Sequence, residues 1–128
     1  MNFTWQNIIA VGFGGFLGAT TRFYINIFVG KNFPHELPLA TLSVNVAGSF
    51  LIGLLIGLFL YFTPYEWMKL FLITGFLGAL TTYSTFAIET FFLLQSSFWM
   101  GILNIVLNLI GSIGAVALGY KLMLYFLR

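Results

Sequence analysis

The sequence predicts an all-α membrane protein with four transmembrane helices. Its 128 residues are 60% hydrophobic and only 6% charged, which leaves too little polar surface to coat a water-soluble globule. Polar breaks leave four apolar runs, at about 5–29, 38–62, 67–96 and 99–126, and each run can cross roughly 30 Å of hydrocarbon. We therefore expect residues 1–128 to form a single four-helix transmembrane domain.

The boundaries of the four runs are set by recognisable signals. The first run has no Lys or Arg before Arg22 and no small-residue cleavage site after it, so we expect a permanent span and not a signal peptide. The connector "GKNFPHELP" (30–38) contains a glycine, two prolines and three ionisable groups, and "TPYEW" (63–67) and "QSSFW" (95–99) are shorter turns.

The third run contains an unusually polar segment, "GFLGALTTYSTFAIET" (75–90). Its glycines, Gly75 and Gly78, lower helix propensity. Its hydroxyl side chains can bond to the backbone and compete with the helical ladder; they include Thr81, Thr82, Ser84 and Thr85. We expect a break near 78–82, in the middle of the third helix. Broken backbone at membrane depth is tolerated only where it is buried in protein or lines a cavity.

Composition excludes several classes of function. Eight residues carry full charge and none of them forms a basic patch, so a nucleic-acid partner is not expected. The chain has no cysteine and one histidine, His35. No nucleophile–base pair or metal-binding cluster is evident, so we expect the protein not to be an enzyme.

The balance of positive charge predicts that the chain inserts in both orientations. Four spans place the termini on one side, together with Lys69, Lys121 and Arg128, while the other side has Lys31 and Arg22. Three positive residues on one side of the membrane and two on the other give almost no positive-inside bias. An antiparallel homodimer with a two-fold axis in the membrane plane would follow.

Small residues recur every four positions on three of the runs, which lets helices approach closely in lipid. These small-residue stripes are Gly14xxxGly18, Gly15xxxAla19, Gly53xxxGly57 and Gly111xxxAla115xxxGly119. They favour oligomerisation.

Uncharged polar residues form one stripe on the second span and one on the fourth. The first contains Thr41, Asn45 and Ser49, and the second contains Asn104, Asn108 and Ser112. A spacing of four places each set on one helix face. Each residue could form hydrogen bonds between helices or line a pore, and the presence of two stripes favours a polar track.

Two charged residues and two aromatic residues are further site candidates. Arg22 could anchor the first span or attract anions. Glu89 could carry protons, bind a cation or hold helices together. Tyr83 and Phe86 could offer positive ring edges to a small anion, or could simply pack in the core.

Four segments together resemble the Fluc/CrcB family of fluoride channels, almost from end to end. They are "GGFLGATTRF" (14–23), "TLSVNVAGSFLIG" (41–53), "GFLGALTTYSTFAIE" (75–89) and "NLIGSIGAVALG" (108–119). The third segment is by far the most specific.

The resemblance implies an antiparallel, dual-topology homodimer with two fluoride pathways and one central sodium ion. Gly78 and Thr81 match positions whose main-chain carbonyls bind sodium. The positions that match the fluoride pathway or its polar stripes are Thr41, Asn45, Tyr83, Ser84, Thr85, Phe86, Asn108 and Ser112, and Arg22 and Glu89 match charged positions of the family. The family usually has phenylalanine where this chain has Tyr83, which puts a purely edge-on anion contact there in doubt.

The leading hypothesis is therefore a passive fluoride channel of a bacterial cytoplasmic (inner) membrane that exports fluoride. The alternative is a small proton-coupled multidrug exporter, whose key glutamate lies in the first span; here that span has Arg22, and the membrane carboxylate is Glu89. A non-conducting structural subunit is a third possibility.

Overall fold

The computed structural model describes residues 1–128 as four helical spans, without a β-strand. The unbroken spans are α1 (Trp5–Asn32), α2 (Leu39–Leu58) and α5 (Phe98–Phe126). The third span has two parts. Its first half, α3, runs through Glu66–Lys69, Leu70–Leu77 and Gly78–Leu80, and its second half is α4 (Tyr83–Ser96). All four spans are long and apolar enough to cross a membrane, which confirms that part of the prediction.

The helix boundaries differ from the predicted ones in two places. The α1 helix begins after Thr4, whose side chain accepts a hydrogen bond from the Asn7 amide, and it continues to Asn32, past the predicted end at 29. Basic Lys31 in its last turn favours this extension because the carboxyl end of a helix is partially negative. The α2 helix ends at Leu58, before the predicted 62, and turns follow it.

The third span is interrupted at Thr81 and Thr82, within the predicted range of 78–82. Both residues have extended backbone, with ψ angles of 154° and 113°. A second irregularity was not predicted: Leu70–Leu77 forms a π-helix. A π-helix this long is rare.

Glycines bring α1 into contact with the π-helical part of α3. A Cβ atom on Gly14 would overlap the Phe71 carbonyl oxygen, and one on Gly18 would overlap the Phe76 carbonyl oxygen. Gly75 faces back towards the α1 backbone. Backbone contact of this kind has no room for any larger side chain.

Glycines also join α2 to α5. A Cβ atom on Gly53 would overlap the Val116 carbonyl oxygen, and one on Gly119 would overlap that of Phe50. Most of the small-residue stripes are thus used inside one chain. These glycines pack helices of one chain together, and oligomerisation stays a prediction.

The packing of α2 on α5 generates a stability prediction. Gly119→Ala is expected to lower the free energy of unfolding by about 2 kcal/mol, since the methyl group meets a backbone carbonyl that cannot move aside. Gly114→Ala, on the same helix, is the control because no atom of a neighbouring helix lies within 4 Å of its Cβ position. Thermal unfolding in detergent compares the two, and equal melting temperatures would contradict this packing.

Candidate functional site

A groove opens beside the break in the third span and contains about 260 Å³. We call it the break groove. Residues of α2, the break, α4 and α5 line it: Asn45, Ser49, Thr81, Thr82, Tyr83, Phe86, Asn108, Leu109, Ser112 and Ile113. None of these side chains is charged, and its polar groups are amides, hydroxyls and the backbone of the break.

Asn45 holds the broken backbone in place. Its Oδ1 atom accepts a hydrogen bond from the Thr82 amide at 2.8 Å, and its Nδ2 atom donates to the Thr82 carbonyl oxygen at 3.2 Å. The same Nδ2 atom donates to Asn108 Oδ1 on α5 at 3.0 Å. One amide side chain therefore satisfies both backbone groups of Thr82 and links the break to α5.

The hydrogen bonds continue from Asn108 into the protein. Asn108 Nδ2 donates to the backbone carbonyl oxygen and to Oδ1 of Asn104, at 3.0 and 3.1 Å. Asn104 is completely buried and donates to Thr90 Oγ1 on α4 at 2.9 Å. The second stripe therefore binds neighbouring helices, while its members Asn108 and Ser112 also line the break groove.

The two helix ends at the break are capped by side chains. Thr82 Oγ1 accepts a hydrogen bond from the Thr85 amide at the start of α4 and donates to Thr85 Oγ1. Arg22 Nε on α1 donates to the Ala79 carbonyl oxygen at 2.9 Å, near the end of α3. A positive group suits that position because carbonyl oxygens there lack helical partners.

The aromatic pair lies in the break groove. The ring centroids of Tyr83 and Phe86 are 5.6 Å apart and their planes are inclined by 56°. Phe86 is buried, with 7% of its surface exposed, whereas Tyr83 is 76% exposed. Both rings reach the groove, but only the tyrosine is largely uncovered.

Three predicted pathway residues, Thr41, Ser84 and Thr85, and the charged candidate Glu89 are not among the residues that line the break groove. Thr41 and Glu89 do not line the break groove; Thr41 Oγ1 donates to Glu89 Oε1 at 2.9 Å, and the buried Oε2 atom has no partner. Ser84 is exposed and also lies outside the groove, and Thr85 takes part in the cap of α4. Ser49 lines the groove although the sequence placed it only in a stripe; its spacing from Asn45 was the signal.

A second, smaller cavity lies on another side of the break and contains about 190 Å³. Gly78 and Thr81 both line it, together with Gly48, whose missing side chain leaves room for the Thr81 methyl group. The Thr81 carbonyl oxygen accepts no hydrogen bond within the chain. Main-chain carbonyl oxygens at a broken helix are suitable ligands for a small hard cation.

The Asn45 contacts generate a second stability prediction. Asn45→Ala is expected to lower the free energy of unfolding by roughly 2–4 kcal/mol, because it leaves both polar groups of Thr82 without partners. The control is Ser43→Ala, an exposed residue of α2 that bonds only to its own helix, and a change within about 0.5 kcal/mol is expected for it. Reversible denaturation in detergent measures both variants; equal losses would contradict the role of Asn45.

Comparison with known proteins shows the family of the chain. A family model described as "CrcB-like protein, Camphor Resistance (CrcB)" matches residues 9–120. A relative from Sulfurimonas denitrificans is 48% identical over 127 residues, covering 98% of both chains. One from Nautilia profundicola is 42% identical over 121 residues, covering 91% of this chain and 93% of the relative. Both relatives are named fluoride-specific ion channel FluC. Because the model and the relatives match nearly the whole sequence, the chain belongs to the CrcB family.

Proposed function

We propose that the protein is a fluoride-selective, passive ion channel that exports fluoride from the cell. The observation that carries this proposal is the break groove, a neutral site of amides, hydroxyls and aromatic rings at a broken transmembrane helix. The family and the names of the relatives support an ion channel, which is not an enzyme.

The chemistry of the break groove suits a small anion. Fluoride holds its water shell tightly, so a pore must offer replacement hydrogen-bond donors at close range. No carboxylate lines the groove to repel an anion, and the ring edges of Tyr83 and Phe86 carry partial positive charge. A narrow path with such donors favours fluoride over the larger chloride ion.

The direction of transport follows from the membrane potential. Fluoride enters acidified cells as neutral HF and dissociates inside. A selective leak in the cytoplasmic (inner) membrane lets the potential, negative inside, drive the anion out. This process lowers cytoplasmic fluoride without a nucleotide-binding or other energy-coupling domain.

An antiparallel second copy of the chain completes the proposed channel. In a single chain the break groove is open and Tyr83 is largely uncovered, and polar groups exposed to lipid are costly. The almost balanced Lys and Arg counts on the two sides favour insertion in both orientations. The resulting dual-topology homodimer would have two fluoride pathways.

A central sodium ion is proposed at the break, with a structural role. The main-chain carbonyl oxygens of Gly78 and Thr81 would hold it. Two observations support this site: both residues line the smaller cavity, and the Thr81 carbonyl oxygen has no hydrogen-bond partner. A bound cation would supply fixed positive charge at the middle of the membrane.

The other functional classes have less support. A proton-coupled multidrug exporter requires a carboxylate in the substrate path, whereas Glu89 lies outside the break groove and bonds to Thr41. A purely structural subunit would not need an uncharged polar groove beside a broken span.

Flux through liposomes tests the proposed function. The purified protein is expected to release fluoride rapidly from loaded vesicles and to release chloride at a negligible rate. An ion-selective electrode measures both. Comparable chloride flux, or no fluoride flux, would refute the proposal.

Cysteine labelling tests the dual topology, because the chain has no cysteine of its own. We choose His35→Cys in the α1–α2 connector and Thr63→Cys in the α2–α3 connector, which lie on opposite sides of the membrane. An impermeant maleimide added to intact cells is expected to label about half of each variant. Complete labelling of one and none of the other would indicate a single orientation.

A further inference from the structure

A ring of hydrogen bonds runs from the break through α2 and α5 and returns to α4. Asn45 on α2 bonds to the Thr82 backbone and to Asn108 Oδ1 on α5. Asn108 bonds to Asn104 on the same helix, and Asn104 Nδ2 donates to Thr90 Oγ1 at 2.9 Å. Thr90 lies about two turns along α4, the helix that begins directly after Thr82. The ring therefore joins the break to the helix that follows it.

The order of donors and acceptors in this ring is fixed at the break. The Thr82 amide can only donate, so Asn45 Oδ1 must face it, and Asn45 Nδ2 is left to donate to Asn108 Oδ1. Asn108 Nδ2 then needs acceptors, which are the backbone carbonyl oxygen and Oδ1 of Asn104. Asn104 can turn its oxygen towards Asn108 only when its own Nδ2 atom has an acceptor on the other side. Thr90 Oγ1 is that acceptor.

The far side of the ring is buried away from the break groove. Asn104 is completely buried, Thr90 is 6% exposed, and neither residue lines the groove. A buried amide that loses its acceptor costs the full free energy of its desolvation. The bond between Asn104 and Thr90 therefore favours one orientation of the Asn104 amide, and that orientation is the one that suits Asn108.

We propose that Thr90 and Asn104 are positioning residues, which hold Asn45 in the orientation that maintains the break. This inference rests on the proposed channel, because it assigns the shape of the conducting site to two residues outside it. Neither residue contacts the ion. Thr90 acts on the break through the side chains of Asn104, Asn108 and Asn45.

Thr90→Val tests the proposal in the full-length protein, since it replaces the hydroxyl with a methyl group of similar shape. Thr90→Ser keeps the hydroxyl. Thr20→Val is the control, because Thr20 is an exposed residue of α1 whose hydroxyl bonds to its own helix. Hydrogen exchange is measured at the Thr82 amide, and the amide of Gly18, inside α1, is the reference for global opening. Fluoride efflux from liposomes is measured on the same variants.

We expect the Thr82 amide to exchange roughly tenfold faster in Thr90→Val than in the parent protein, equivalent to about 1.4 kcal/mol. Exchange at Gly18 should not change, and fluoride efflux should become slower. Thr90→Ser and Thr20→Val should match the parent protein in all three measurements.

A double-mutant cycle shows whether the effect travels along the ring. Asn108→Ala removes its middle member, so adding Thr90→Val to Asn108→Ala is expected to give no further increase in exchange at Thr82. An additive increase overturns the proposal, and so does an equal increase at Gly18, because Thr90 would then only hold α4 against α5.

Unchanged exchange at Thr82 in Thr90→Val also overturns the proposal, as does faster exchange without slower efflux. If the parent protein itself passes no fluoride, the proposed function fails, whereas the exchange measurement still tests the ring. Normal parent flux together with unchanged exchange in Thr90→Val refutes only the positioning roles.

Discussion

The structure depends on how the polar backbone groups of a broken transmembrane helix find partners without water. An unpaired peptide group in hydrocarbon costs several kcal/mol, so side chains of other helices that bond to a break stabilise it. Here Asn45 bonds to both the amide and the carbonyl of Thr82, and Arg22 bonds to the Ala79 carbonyl oxygen. These contacts come from α2 and α1, so the break is stable only when those helices are packed around it.

The same constraint explains why the helices pack so closely around the break. Gly48 leaves room for the Thr81 side chain, and the glycine contacts of α1 with α3 and of α2 with α5 bring donors within reach of the break. Asn45 then bonds to the backbone of the break and to Asn108, which in turn bonds to Asn104.

The sequence predicted the four spans and the position of the break, because apolar run length and clustered glycines and hydroxyls are local signals. It did not predict the π-helix at Leu70–Leu77, which is not signalled by any local residue pattern and accompanies close packing against α1. The spacing of Asn45 and Asn108 placed them on helix faces but could not show that their donors are already used, because hydrogen-bond partners depend on three-dimensional approach. For the same reason the sequence grouped Thr41 with Asn45, although Thr41 bonds to Glu89 outside the break groove.

Membership of the CrcB family supports an ion channel, and we conclude that Asn45 maintains the broken helix beside the groove. Hydrogen–deuterium exchange at the Thr82 amide tests that claim most directly. The amide should be protected in the parent protein and should exchange roughly a hundredfold faster in Asn45→Ala, since its acceptor has been removed. Rapid exchange in the parent protein, or equal protection in both proteins, would contradict it.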